Sequence, residues 1–170
     1  MFSKILIANR GEIALRIIRT AQKTGIRTVS VYSDVDINSP HVALADDSVR
    51  IGGLTSAESY LNINKIIEAM NKTNADAVHP GYGFLSENVK FSDAVEKAGK
   101  IFIGPPSSAI SVMGDKIKSK KIAKESGVSV VPGGIKIINS VEEAIKEANS
   151  IKYPVMAVSY THLTLPTSLI

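Results

Sequence analysis

Three short stretches hold residue types that could do chemistry. The first is His79-Pro80-Gly81-Tyr82-Gly83-Phe84-Leu85-Ser86-Glu87-Asn88. Two glycines flank Tyr82, so the backbone can fold tightly and present the ring, while Pro80 fixes the direction of entry. Glu87 and Asn88 bring polar groups to the same loop. Taken alone, a Pro-Gly segment is usually only a turn.

The second stretch is Met113-Gly114-Asp115-Lys116, which opens a lysine run at Lys116, Lys118, Lys120, Lys121 and Lys124. Asp115 suits an N-cap, which puts Lys116 in a first helical turn where a cation opposes the helix dipole. An anionic ligand such as a phosphate would offset that cost. The later lysines read as a solvated helix face. The third stretch is Asn9-Arg10-Gly11-Glu12, at the start of another helix. Amides at a helix N-terminus attract anions. Only Gly11 is present, however, not the three glycines of a dinucleotide fingerprint, and Asp34 as a ribose-binding acid is weak without them. A tight turn with Glu12 on the helix dipole accounts for this stretch more simply.

The elements that position these stretches alternate. Strands are predicted at Lys4–Ala8, Arg27–Tyr32, Ser48–Ile51, Ala75–His79 and Ile101–Ile103, with helices at Gly11–Thr24, Ile63–Lys72 and Phe91–Ala98. In the first helix Ile13, Leu15, Ile17, Ile18 and Ala21 are expected to face inward, with Gly25 as the stop. Such alternation predicts an α/β fold, a Rossmann-like parallel sheet with helices on both faces and ligand loops along one edge. Helices to Met113, from Asp115 to Ser126, and from a capping box at Ser140 and Glu143 to Asn149 should follow. Strands are expected at Val128–Val131 and from Tyr153 to Met156. A domain boundary is placed near Gly114, giving 1–113 and 114–156.

Composition narrows the classes. A chain of 170 residues with 44% hydrophobic and 21% charged residues can build a core. The net charge of +4 is spread out and aromatic residues are 5%, which argues against nucleic acid as a partner. No cysteine is present, so disulfides and thiolate sites are excluded. His41, His79 and His162 show no metal spacing. The first apolar run is too short for a signal peptide or membrane span, so a cytoplasmic location without membrane association is expected.

Taken together, the segments resemble the biotin carboxylase family. Lys4–Ala14 is similar to its opening strand and helix, the His79–Asn88 loop to its signature, and Phe102-Ile103-Gly104-Pro105 with Met113–Lys116 follows in order. Tyr153-Pro154-Val155-Met156 looks like the strand leading to the nucleotide loop. The resemblance implies a pre-ATP-grasp domain followed by the start of an ATP-grasp domain. It implies ATP-dependent carboxylation of carrier-bound biotin with bicarbonate by way of carboxyphosphate, with Mg2+ or Mn2+ neutralising the phosphates. Lys116 would contact ATP, and Tyr82 and Gly83 would lie beside the biotin ring. No residue of this stretch is assigned a catalytic or metal-binding role. A biotin carboxyl carrier, a carboxyltransferase and a second copy of the full-length subunit are the implied partners. Ser119–Lys124 with Val130–Gly133 looks more like the propionyl-CoA than the acetyl-CoA branch.

Three other readings compete: another ATP-grasp ligase such as a purine-pathway carboxylase, a dinucleotide-binding oxidoreductase domain, and a non-enzymatic interaction module. The His79–Asn88 loop favours the biotin enzymes over the first, and the missing glycine fingerprint opposes the second.

The resemblance stops after Met156. The family pattern puts a lysine where Val158 stands, then a glycine-rich loop that cradles phosphates. Here 157–170 holds no glycine, and Val158–Leu163 reads like one frame of a transposon end used in sequencing libraries. The hypothesis is that 157–170 is a non-native tail, and that a polypeptide ending so is inactive as a carboxylase. Re-sequencing the locus across the codon for Met156 should reveal a frame that continues into a lysine and a glycine-rich loop. A genuine stop after Ile170 would contradict it.

Overall fold

The computed structural model describes residues 2–134 and 137–156, with Lys116 described by its backbone only. Two compact units divide between Ile110 and Ser111. The first contains β1 (Lys4–Ile7), α1 (Gly11–Lys23), β2 (Arg27–Tyr32), a 3-10 turn at Asp34–Asp36, α2 (Pro40–Leu44) and β3 (Asp47–Arg50). It continues through α3 (Ile63–Thr73), β4 (Ala77–His79), α4 (Val89–Lys97) and β5 (Ile101–Phe102). Helix α5 (Ser107–Met113) spans the division, and the second unit holds α6 (Lys116–Glu125) and α7 (Val141–Ile151).

The five strands pair in parallel in the order β3-β2-β1-β4-β5. Successive side chains of a strand point to opposite faces, so a central parallel strand must be apolar throughout. β1 obeys this. Ile5 and Ile7 pack with Ala14, Ile17, Ile18 and Ala21 of α1. Leu6 and Ala8 pack on the other face with Ile66, Ala69 and Met70 of α3 and Phe91 and Val95 of α4. The expected sheet covered on both faces is therefore the observed one.

Side-chain carboxylates fasten the amino-terminal edge of the sheet. Asp76 Oδ2 accepts from Ser3 N, Ser3 Oγ and Lys4 N at 2.7–3.0 Å. These bonds, the Ser3 hydroxyl first, hold its carboxyl at about 2. Asp46 binds Thr28 in the same way between β2 and β3.

Some expectations need correction. Leu15 is only half-buried, and Ala14 takes the inward place beside Ile17 and Ile18. Helix α4 starts at Val89, not near Phe91, because Asn88 caps it and accepts from Phe91 N. The turn at Asp34–Asp36 and the short α2 were not anticipated, being too short to show a period. Val128–Val131 and Tyr153–Met156 are not strands. A strand is defined by a ladder, and neither segment has a ladder partner among the described residues of the second unit. At α7, Ser140 Oγ accepts from Glu143 N, but the Glu143 carboxylate takes the N–H of Asn139, one residue before the cap. Residues 157–170, read as a non-native tail, lie outside the described residues. No helix among the described residues is long and apolar enough to cross a membrane.

Candidate functional site

Strand order reverses between β1 and β4: the chain leaves β1 for β2 on one side and β4 for β5 on the other. Beyond the carboxyl ends of those two strands lies the crevice where open parallel sheets take ligands. Asn9–Glu12 follows β1 and His79–Asn88 follows β4, so two of the three chemistry-bearing stretches border it.

Asn9 joins them. Its side chain is buried, with 3% exposed. The Nδ2 donates to the carbonyls of Pro80 and Tyr82, both at 2.8 Å, while Oδ1 accepts from Arg10 N at 2.9 Å. Gly81 runs so close that a Cβ there would stand 2.7 Å from Asn9 Nδ2, and its φ is +69°. Both facts require glycine. His79 Nδ1 accepts from Gly81 N at 3.0 Å, so the ring is neutral with its proton on Nε2. Burial keeps that imidazole below its ordinary value.

Past Gly81 the loop turns outward. Tyr82 is 64% exposed, and its hydroxyl makes a long 3.4 Å contact with Glu12 Oε2 in the first turn of α1. Gly83 has a φ of +65° with open space around it, so the backbone turn alone demands glycine there. Phe84, also at positive φ, stacks on Tyr60 at 5.4 Å with the rings 4° from parallel. Leu85 is buried in the core. Pro80 and Leu85 are thus the buried ends of a short arch that presents Tyr82 and Gly83.

A second cluster was missed by sequence reasoning. Asp36 accepts from Arg10 Nε at 2.7 Å and Nη2 at 2.6 Å, from Tyr60 Oη at 2.7 Å, from Ser33 Oγ at 3.0 Å and from Ser39 Oγ at 3.2 Å. The bidentate Arg10 bonds, ahead of the opposing burial, hold the Asp36 carboxyl well below the usual carboxylate range. Burial first and Asp36 second push the Tyr60 phenol up to about 12. Since Tyr60 carries Phe84, this cluster supports the loop from below. The stretch Ser33-Asp34-Val35-Asp36, polar at all but Val35 and directly after a buried strand, was the available signal. Asp34, weighed as a ribose acid, instead pairs with Arg50 at 2.7 Å.

In the second unit, Asp115 Oδ1 accepts from Ile117 N and Lys118 N and caps α6 as expected. Lys116 opens that helix. Its side chain lies outside the described residues. Lys118 lies 3.8 Å from Asp115 and Lys121 lies 3.9 Å from Glu125, weak contacts on a solvated face. Lys120 departs from that reading: it is half-buried and donates to the Gly133 carbonyl at 3.0 Å. No group of three His, Asp or Glu suited to a metal occurs among the described residues.

Comparison with known proteins defines the class. The family "Biotin carboxylase, N-terminal domain" matches residues 1–110, and "Carbamoyl-phosphate synthase L chain, ATP binding domain" matches residues 115–162. The chain therefore belongs to the biotin carboxylase family. It is 58% identical over 156 residues to the propionyl-CoA carboxylase alpha chain of Ruegeria pomeroyi, covering 92% of this chain and 23% of that one. It is 54% identical over 159 residues to the urea amidolyase of Saccharomyces cerevisiae, covering 94% of this chain and 9% of that one. A biotin carboxylase from Campylobacter jejuni, solved as a β-γ-ATP complex, superposes with a TM-score of 0.85 at 45% identity, covering 91% of this chain and 34% of that one. The chain thus spans less than a quarter of the length of these curated relatives.

Two predictions come from the polar clusters. Asp36→Asn removes the charge that faces Arg10. A broken buried pair costs about 3–5 kcal/mol, but Arg10 is half in solvent, so a loss of about 2 kcal/mol is expected by urea denaturation. A loss under about 0.5 kcal/mol would contradict the network. The second concerns pH. His41 is fully buried, and burial lowers it, as it does His79, below the ordinary value of 6.5. The native state then binds fewer protons than the unfolded chain, so stability is full above that ordinary value and is lost as pH falls below it. The thermal midpoint should drop between about pH 7.5 and pH 5.5, and His41→Phe should flatten part of the drop. A flat profile in the parent chain would refute this assignment.

Proposed function

We propose that this chain forms the front part of a biotin carboxylase subunit, an ATP-grasp ligase that uses ATP and bicarbonate to carboxylate carrier-bound biotin. The observation that carries the reading is the arch at the switch point, with Tyr82 exposed and Gly83 bare beside it. The planar ureido part of biotin's bent bicycle suits an exposed aromatic face and a backbone it can approach closely, and these two residues offer both. Biotin supplies the nitrogen that takes up the carboxyl group; the residues of this chain hold and orient it.

Lys116, at the start of α6, is proposed to meet the phosphates of ATP. Mg2+ or Mn2+ would neutralise those phosphates. The described residues hold no acidic cluster that fits the ion, so its ligands are sought outside them. The proposed partners are a biotin carboxyl carrier protein or domain, a carboxyltransferase and a second copy of the subunit. A propionyl-CoA carboxylase is preferred, supported by the Ser119–Lys124 and Val130–Gly133 stretches and by the relative from Ruegeria pomeroyi. The 170 residues alone are proposed to be inactive, because they span so small a share of their relatives.

The test uses the complete carboxylase with free biotin as substrate. Tyr82→Ala should raise the KM for biotin about tenfold while the KM for ATP stays within about twofold. An unchanged KM for biotin would remove Tyr82 from the site. Biotin-dependent ATP hydrolysis by the purified 170 residues would overturn the claim that they are inactive.

A further inference from the structure

Both protons of the Asn9 amide go to carbonyls on either side of Gly81, across the boundary between the β1 and β4 turns. A trans peptide is planar, with its N–H opposite its C=O. Fixing the Tyr82 carbonyl toward Asn9 therefore fixes which way the whole Tyr82–Gly83 peptide faces. No other side chain on the β1 turn holds that peptide: Glu12 reaches only the Tyr82 hydroxyl, at 3.4 Å. The main-chain bonds of the arch close later, from Ser86 N to Gly83 O and from Asn88 N to Leu85 O.

From this geometry we infer that Asn9 is a positioning residue for capture of the planar ureido ligand, acting through the Tyr82–Gly83 peptide. The inference rests on the reading of that arch as the biotin-side wall. Three features support it. The Asn9 side chain is buried, and its amide protons go to the arch and not to water. Its Nδ2 is the atom that a Gly81 Cβ would strike, so the fit between amide and arch is close enough to transmit small displacements. Its own backbone lies at the end of a strand whose partner, β4, leads directly into the arch, and Ala8 N donates to His79 O at 2.9 Å just before. The clamp therefore stands where two paired central strands of the sheet end, the kind of support that a site holding its geometry requires.

The test uses the complete carboxylase with free biotin as probe and four variants: Asn9→Ala, Asn9→Asp, Tyr82→Ala, and Asn9→Ala with Tyr82→Ala. Asn9→Ala should raise the KM for biotin about tenfold with the KM for ATP within about twofold. Asn9→Asp should be at least as damaging, because a carboxylate has no proton for either carbonyl. In the double variant the loss should fall short of the product of the two single losses, since both act through one wall. Amide hydrogen exchange should speed up within residues 81–86 and not in β1 or β4. If Asn9→Ala does not give soluble enzyme, Asn9→Ser, which can donate one bond, is read on the same split of KM values.

The outcomes separate. If Tyr82→Ala leaves the KM for biotin unchanged, the biotin-side reading fails and takes the inference with it. If Tyr82→Ala raises that KM and Asn9→Ala does not, the inference fails and the reading stands. If Asn9→Ala raises both KM values together, or exchange speeds up throughout the sheet, Asn9 serves only general stability and the inference is overturned.

Discussion

The side-chain amide of Asn9 has two protons to give, and it gives both to the loop that follows β4. Much of the crevice depends on that. A Pro-Gly-Tyr-Gly segment is conformationally permissive, and a bare turn of this kind would sample many states. The glycine at 81 does not merely permit a turn; it lets the backbone come near enough to Asn9 to be held. Freedom at glycine and restraint by asparagine are two halves of one device. It sits where the sheet changes direction, the place at which a parallel sheet opens to ligands.

A second constraint runs beneath the first. Asp36 is a buried carboxylate, and a buried charge is tolerated only when paired and hydrogen-bonded. Arg10 supplies the pair, and Tyr60, Ser33 and Ser39 supply the rest. Arg10 follows Asn9 directly, so adjacent residues on one turn serve the two supports: Asn9 reaches the arch from the side and Arg10 fixes the cluster under it. Tyr60 then transmits the cluster to the arch through its stack with Phe84. A residue at positive φ such as Phe84 costs energy, and the stack and the burial of Leu85 offset that cost locally.

The centre of the sheet was legible in the sequence because β1 is buried on both faces and reads as an apolar run at Ile5–Ala8, while β2 concentrates the β-branched residues Thr28, Val29 and Val31. Lys4–Ala8 and Arg27–Tyr32 could hardly be anything else. The helix of Gly11–Lys23 was legible from its period and its glycine stop, although its inward stripe passed through Ala14 and not Leu15. The second unit was less legible. Val128–Val131 and Tyr153–Met156 have strand-like composition, but a strand is a relation between two segments, and composition cannot supply the partner. Among candidate residues, Tyr82 and Gly83 stood out because glycines flank the tyrosine, their proposed place beside biotin came from the resemblance, and the loop they belong to borders the crevice. Asp36 and Tyr60 were not, because the cluster unites residues far apart in the chain and no local spacing encodes it. Asn9 was seen as part of a turn, but its clamp depends on strand order, which periodicity does not give.

Membership in the biotin carboxylase family and the geometry of the switch point converge on the same arch. The family says what kind of chemistry to look for, and the arch offers the atoms of this chain proposed to meet the ligand. The most direct test is a crystal structure of the complete carboxylase with biotin bound. The account predicts the ureido ring in van der Waals contact with Tyr82 and Gly83, with Asn9 Nδ2 still bonded to the carbonyls of Pro80 and Tyr82. Biotin bound elsewhere, or bound against an arch released from Asn9, would contradict it.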